Sequence, residues 1–205
     1  MNSLYHARRS ENVDRDLLAS IAADDRVALA TLYKDYHSRL CRFLSRLTRR
    51  TDVIEEAVND VFLAIWQKAG DFRGDSRVST WIMGIAYRCG LKAMQRHGND
   101  PVQDDNISQN RIPIIDPDED RVLSDWLAKG LEQLTTDQRV VVELVYGSGH
   151  SLDEVAFIMD CALVTVQARL FHARNKLRDV LPGLAGGTFD LEHSHHNYFR
   201  SIDPI

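Results

Sequence analysis

Between residues 98 and 120 the helical periodicity of this chain stops. The stretch carries three prolines (Pro101, Pro113 and Pro117), seven acidic residues and one arginine. Proline removes a backbone donor and clashes with the preceding turn, and acids at this density repel one another, so a regular helix or strand is not expected to run through it. A chain of 205 residues interrupted there is expected to fold as two bodies on a tether. Fully extended, the tether could span on the order of 75–80 Å, at about 3.3–3.6 Å per residue. The net charge of −5 divides along the same lines, into +4 for residues 1–97, −6 for 98–120, −1 for 121–180 and −2 for 181–205.

On both sides of the tether apolar residues recur at three- and four-residue intervals, and no pair of alternating segments carries hairpin chemistry, so the fold class is all-α. In the first body, residues 14–97, helices are expected over 14–23, 25–48, 52–69 and 78–96, after an N-terminal extension, 1–13. Asp52 suits the N-cap of the third helix, where Ile54, Val58, Val61 and Ile65 make the buried stripe and Glu56, Asn59, Asp60, Leu63 and Gln67 lie outside. The second body is 121–181, with a tail over 182–205. A hydrophobic content of 44% suffices for real cores. No apolar run approaches the roughly 20 residues that span a bilayer, and the charged first 25 residues lack a signal peptide's apolar stretch, which points to the cytoplasm without membrane insertion. Cys41, Cys89 and Cys161 are far apart among apolar neighbours and read as reduced core residues. With no phosphate-cradling glycine loop, no nucleophile triad and no ligand set, neither an enzyme nor a cofactor is expected. His193, His195 and His196 cluster in the tail, but without a closing Cys or His set no metal site is expected there.

The second body ends in a helix-turn-helix pattern. Ser151 and Glu154 form an S-x-x-E capping box, in which hydroxyl and carboxylate each satisfy a free N–H at a helix start. After a turn through Asp160 to Ala162, Val166, Leu170, Ala173 and Leu177 give the next helix one apolar face. Thr165, Gln167, Arg169, His172, Arg174 and Lys176 are left for the others. Such a helix can bury one side and offer donors to a DNA groove with the other. In the first body the loop Gly70-Asp71-Phe72-Arg73-Gly74-Asp75-Ser76-Arg77 precedes Trp81 and a helix that turns basic, with Arg88, Lys92 and Arg96 at four-residue steps beside Tyr87. Cations with adjoining aromatic rings suit opened nucleic acid, since the cations track phosphates and rings stack on bases. The same residues also suit an ordinary bundle, with Trp81 and Phe72 in a core and the cations on a solvated face.

Asp60-Val61-Phe62-Leu63-Ala64-Ile65-Trp66, Phe72-Arg73-Gly74-Asp75-Ser76 and Thr80-Trp81-Ile82-Met83-Gly84-Ile85-Ala86 together resemble region 2 of the extracytoplasmic-function (ECF) sigma factors. Leu134, Gln138-Arg139-Val140-Val141 and the helix-turn-helix through Leu177 resemble region 4. The resemblance covers roughly residues 15–180 and implies a promoter-specificity subunit of bacterial RNA polymerase with no catalysis of its own. It implies that Asp52, Glu55, Glu56, Asn59, Asp60, Phe62 and Leu63 meet the β′ coiled coil of core polymerase. Region 4 would lie near the β flap. Phe72, Arg73, Asp75, Ser76, Arg77, Trp81 and Tyr87 would hold a flipped base and melted strand of the minus-10 element, with Arg88, Lys92 and Arg96 as the cationic surround. Thr165, Gln167, Arg169 and His172 would enter the major groove at the minus-35 element, Arg174 and Lys176 would meet phosphate, and an anti-sigma factor would hold the protein inactive. Arg88 and Lys92 stand where the family commonly has Asn and Asp, Thr136 where it has Pro, Val164 and Ala168 where it has Gly and Ser, and Gln167 where it has a cation. The promoter sequence therefore does not carry over. Those departures leave open a sigma-like decoy that captures an anti-sigma factor, and a helix-turn-helix regulator of another kind is the remaining alternative.

Overall fold

The computed structural model describes residues 2–97 and 128–185, and among these there is no strand. Four helices make the N-terminal half: α1 (Asn2–Ala22), α2 (Arg26–Leu44), α3 (Thr51–Lys68) and α4 (Val78–Arg96). A short helical segment at 128–132 leads into α5 (Thr136–Val142), α6 (Leu152–Met159) and α7 (Leu163–Ala185). The acidic stretch 98–120 and the histidines of the tail lie outside the described residues.

Helix ends differ from expectation where local bonds decide them. α1 begins well before residue 14. α2 starts on Asp25, whose carboxylate accepts from the amides of Val27 and Ala28 at 2.8 and 3.2 Å. It stops at Leu44, where the Ser45 N–H turns back to the carbonyls of Cys41 and Phe43. Asp52 is not the N-cap of α3: Arg50 occupies that position, and its guanidinium takes the Asp52 carboxylate at 3.2 and 2.6 Å. Asp52 lies in the first turn instead, where its negative charge still complements the helix dipole. The expected stripe of Ile54, Val58, Val61 and Ile65 is buried, together with Leu18, Leu32, Phe43, Ile82 and Met83. Each large apolar side chain so enclosed contributes about 1.5–3 kcal/mol relative to exposure.

In the C-terminal half two capping boxes set the helix starts. Thr135 and Gln138 bond each other's backbone at 3.3 and 3.0 Å, and Ser151 and Glu154 do the same at 3.3 and 2.9 Å. α5 runs into a π turn, Glu143–Gly147, closed by the Ser148 N–H on the Glu143 carbonyl at 2.9 Å. α6 ends on Asp160 in the left-handed region at φ 50°, and α7 departs at a bend of 107°, within the range of helix-turn-helix units.

The tether predicts two separate bodies, yet the halves are in contact. α4 packs on α6, and Val140, Val141, Leu144, Val155, Ile158, Met159, Val166 and Leu170 join the same buried cluster as the N-terminal core. Among the described residues, Leu131, Leu134 and Ala173 form a separate small cluster. A body of about 60 residues buries a modest share of its surface, so a partner surface adds materially to its core. Cys41 is buried, Cys89 and Cys161 are half-buried, and all three are free thiols. No single helix among the described residues is long and apolar enough to cross a membrane.

Candidate nucleic-acid interface

The loop before α4 is held from a distance. The Val78 N–H donates to both oxygens of Glu11 at 3.1 and 3.2 Å, so α1 caps the start of α4. Arg15 donates to the Ser76 carbonyl at 3.4 Å and lies 5.7 Å over the Phe72 ring. Phe72 meets Trp81 at 5.5 Å between ring centres, tilted 59°. Gly74, at φ +78°, takes a turn that a side chain would strain. Arg73 and Asp75 project into solvent while Phe72, Ser76, Arg77 and Trp81 are half-buried, so the loop is a braced cradle. Glu11 and Arg15 were not legible as site residues, because each acts across more than sixty residues of sequence.

On α4, Arg88, Lys92 and Arg96 are exposed on one side, as their spacing predicts. Arg96, however, is bonded to Glu56 and, at 2.7 Å, to Asp60, while His97 lies against the other Glu56 oxygen. The His97 ring and the Arg96 guanidinium hold the Glu56 carboxyl below its ordinary range. One residue expected on DNA thus neutralises two expected on polymerase. The remaining face of α3 presents Asp52, Glu55 and Asn59, with Leu63 at 55% exposure. Phe62 does not belong to that face: it is buried, one turn after Val58, and stacks on Tyr33 at 4.6 Å. Tyr87 is likewise buried. Burial raises its hydroxyl pKa, with Asp137, Arg169 and Cys161 of the other half acting on it.

Along α7 the helical pitch of 3.6 residues divides the polar residues between two edges of the exposed face. Thr165, Arg169, His172 and Lys176 lie along one, Gln167, Phe171 and Arg174 along the other. His172, Lys176, Gln167 and Arg174 are exposed. Arg174 donates to the Tyr146 hydroxyl at 2.7 Å and covers its ring, beside an open cleft of about 370 Å³ lined by Val145, His150, Leu152, Gln167 and Phe171 among others. Arg169 pairs with Asp137 at 2.5 Å and donates to the Cys161 sulfur at 3.7 Å.

Where the halves meet, arginines of the first face carboxylates of the second. Arg77 Nε donates to Glu154 Oε1 at 2.6 Å and its second nitrogen to Oε2. Thr80 donates to Glu154 Oε1 at 2.7 Å. These bonds hold the Glu154 carboxyl at about 2 despite opposing burial. His150, its side chain fully enclosed, lies 3.8 Å from Glu154, and burial lowers its ring to about 4. Arg42 and Arg46 reach the buried Glu143 carboxylate at 3.2 and 3.0 Å, and Arg49 reaches Glu132 at 3.4 Å.

Comparison with known proteins gives this arrangement a family. Residues 32–99 match the family described as Sigma-70 region 2, and residues 124–177 match Sigma-70, region 4. The chain is 32% identical over 183 residues to the ECF RNA polymerase sigma factor SigM of Mycobacterium tuberculosis strain H37Rv, covering 87% of this chain and 90% of that one. It is 28% identical to the ECF RNA polymerase sigma-E factor of Escherichia coli K12, over 80% of this chain and 92% of that one. Among solved structures, CnrH in complex with the cytosolic domain of CnrY matches with a TM-score of 0.61 at 22% identity, over 83% and 98% of the two chains. The sigma factor RpoE bound to the anti-sigma factor NepR, from Bartonella quintana, matches with a TM-score of 0.60 at 26% identity, over 75% and 96%. A region 2 bundle with a braced loop, followed by a region 4 helix-turn-helix, places this chain among the ECF sigma factors, the subunits that direct RNA polymerase to promoters.

Proposed function

We propose that α3 is the polymerase-docking helix of this sigma factor, that the cradle of Phe72, Arg73, Asp75, Ser76 and Trp81 with the cations of α4 receives the opened minus-10 strand, and that α7 reads the minus-35 element. The observation that carries this is Leu63: a large apolar side chain, 55% exposed, one turn beyond the acids of the exposed face of α3. An exposed apolar anchor next to a row of charge suits an interface, with the acids setting register and on-rate on a basic partner such as the β′ coiled coil. Arg88 and Lys92 on the neighbouring helix are free of the acid cluster that holds Arg96 and supply the cationic path that unpaired bases require. The edge of Thr165, Arg169 and His172 offers groove contacts, and Arg174 and Lys176, exposed to either side of it, are left for phosphate.

An anti-sigma protein belongs to the same reading, because both structural neighbours are recorded with one or with a partner's cytosolic domain. The direct test is Leu63→Ala in the full chain. Core polymerase binding should weaken by about tenfold, the effect of one well-packed interface anchor, with the melting temperature unchanged. Unaltered binding would reject α3 as the docking helix.

A further inference from the structure

The exposed face of α7 carries its charge at the sides and none along its crest. Val166, Leu170 and Ala173 are buried and mark the inner side of the helix. At 3.6 residues per turn, the line furthest from them runs through Val164 and Ala168, with Phe171 one turn on. All three are exposed, Val164 at 68% and Phe171 at 62%. Gln167 is exposed beside this line, and Arg174 and Lys176 are exposed to either side of it further along. Arg169 lies on the flank, where Asp137 holds it at 2.5 Å.

An exposed apolar line rimmed by polar groups marks a surface that another molecule covers. Charge selects the occupant. Cations on both sides of the helix suit the two phosphate rows that border a major groove about 12 Å wide, which admits one α-helix. The residues at the start of a recognition helix then face base edges. An apolar side chain placed there has one apolar group to meet, the C5-methyl of thymine, because the other bases present only donors and acceptors along that edge. Set against guanine, the same side chain would strip water from two acceptors and return no hydrogen bond. The Gln167 amide, one residue before Ala168, has the donor and acceptor pair that matches adenine.

We propose that Val164 and Ala168 read thymine methyl groups in the minus-35 element and that Gln167 reads an adenine beside them, so that this chain selects an A·T-containing sequence by apolar contact rather than by arginine. The inference rests on the assignment of α7 to the minus-35 element and adds the bases it selects. The family resemblance does not supply this preference, since Val164, Gln167 and Ala168 are positions at which the chain departs from the family pattern.

The test uses the full chain with core polymerase, on a promoter selected from a random-sequence duplex library. The minus-35 sequence recovered should contain thymine and adenine at neighbouring positions. Replacing thymine there by uracil, which lacks only the methyl, should weaken holoenzyme binding about fourfold per contacted methyl. Val164→Ser and Ala168→Ser, both at exposed positions, should bind thymine and uracil templates alike at an unchanged melting temperature, and Gln167→Ala should relax selection at the adenine alone. Equal binding of the wild type to thymine and uracil templates would overturn the methyl reading, and so would a recovered minus-35 sequence without thymine. Arg174→Ala and Lys176→Ala judge the underlying assignment separately, since they should weaken binding uniformly across minus-35 sequences. If they have no effect, α7 does not lie on the element and the proposal falls with that assignment. If they weaken binding while uracil changes nothing, α7 stays on the element and only the methyl reading falls. Val164→Ser or Ala168→Ser losing core polymerase in the absence of DNA would overturn the proposal by assigning the line to a protein contact.

Discussion

α4 begins with a cap supplied from 67 residues away, whereas α6, facing it across the joint between the halves, is capped within its own first turn. The loop that precedes α4 inherits its shape from Glu11 and Arg15 of α1, so the cradle proposed for the opened strand depends on the assembled bundle. The helix-turn-helix carries its own instructions in Ser151, Glu154 and the left-handed Asp160. On the proposed reading, the surface that grips an irregular single strand is braced from outside, while the helix that docks in a regular groove has a defined start and crossing angle. Asp14, which is buried, and Glu154, which is half-buried, differ in the same way. Asp14 is enclosed beside the Tyr36 hydroxyl, which donates to it at 2.5 Å, and burial raises its pKa. Glu154 meets a guanidinium and is lowered to about 2.

Acid separates these two environments most strongly. His150 is lowered from 6.5 to about 4, so the neutral ring's contribution to the closed state is complete above the unfolded value and is lost as pH falls from 6.5 towards 4. Between pH 6.5 and 5 the loss amounts to about 2 kcal/mol, at roughly 1.4 kcal/mol per pH unit for a group that binds its proton only when released. Glu154 extends the loss, from 4.5 down through about 2. Arg39 and Arg77 also face the His150 ring and oppose its protonation while the joint is closed. Asp14 has the opposite sign: its raised pKa means that folding takes up a proton, so acid relieves a cost in the N-terminal bundle. The joint should therefore open at a higher pH than that at which the bundle unfolds. Scattering and helical circular dichroism followed together between pH 7 and 4 should resolve two transitions, and a single coincident one would erase the distinction. His150→Gln should flatten the first.

Removing each cap probes the same contrast at smaller scale. Glu11→Ala leaves the Val78 amide without its acceptor and removes the carboxylate that Arg15 pairs with at 2.9 Å, costing about 1–2 kcal/mol. Single-stranded DNA affinity should fall with it, because the cradle loses its brace. Ser151→Ala should cost about 1 kcal/mol, the usual loss of an N-cap, and leave single-strand affinity unchanged. Chemical denaturation with DNA binding on both variants checks this. Equal losses of DNA affinity would mean that the two helix starts are not independent.

The local devices were legible and the distant ones were not. The Ser151/Glu154 box, the buried stripe of α3, the apolar face of α7 and the all-helical class all follow from spacings of three or four residues, which sequence displays directly. The same rule, applied more strictly, identifies Phe62 as buried, since it lies four residues after Val58. Asp52 has the residue type of a cap, but Arg50, two residues before it, holds its carboxylate and the helix starts one position earlier. The basic stripe of α4 assigns Tyr87 to opened DNA, whereas the ring is buried with Asp137, Arg169 and Cys161 of the other half near it, across a tether that shows only that two bodies exist. Glu143 left one faint signal, a glycine four residues on in an otherwise helical pattern. Nothing in the sequence ties Arg77 to Glu154 or Glu11 to Val78, since pairings at these separations are fixed only by how helices cross.

Arg96 gives the smallest effect and the sharpest comparison between α3 and α4. Its guanidinium is bonded to Glu56 and Asp60, so a polymerase cation approaching those acids must displace it. Exposed pairs of this kind are worth little individually, and the competition corresponds to about two- to fivefold in affinity. Arg96→Ala should therefore tighten core polymerase binding by about that factor while weakening binding to single-stranded DNA, because the cation is lost from the strand face. Lys92→Ala, four residues earlier on the same side of α4, should weaken DNA binding alike and leave polymerase binding unchanged. Titration of labelled core with each variant separates the two cases. If Arg96→Ala weakens polymerase binding, then Arg96 orders the docking acids rather than competing for them, and α3 and α4 act as one surface instead of two.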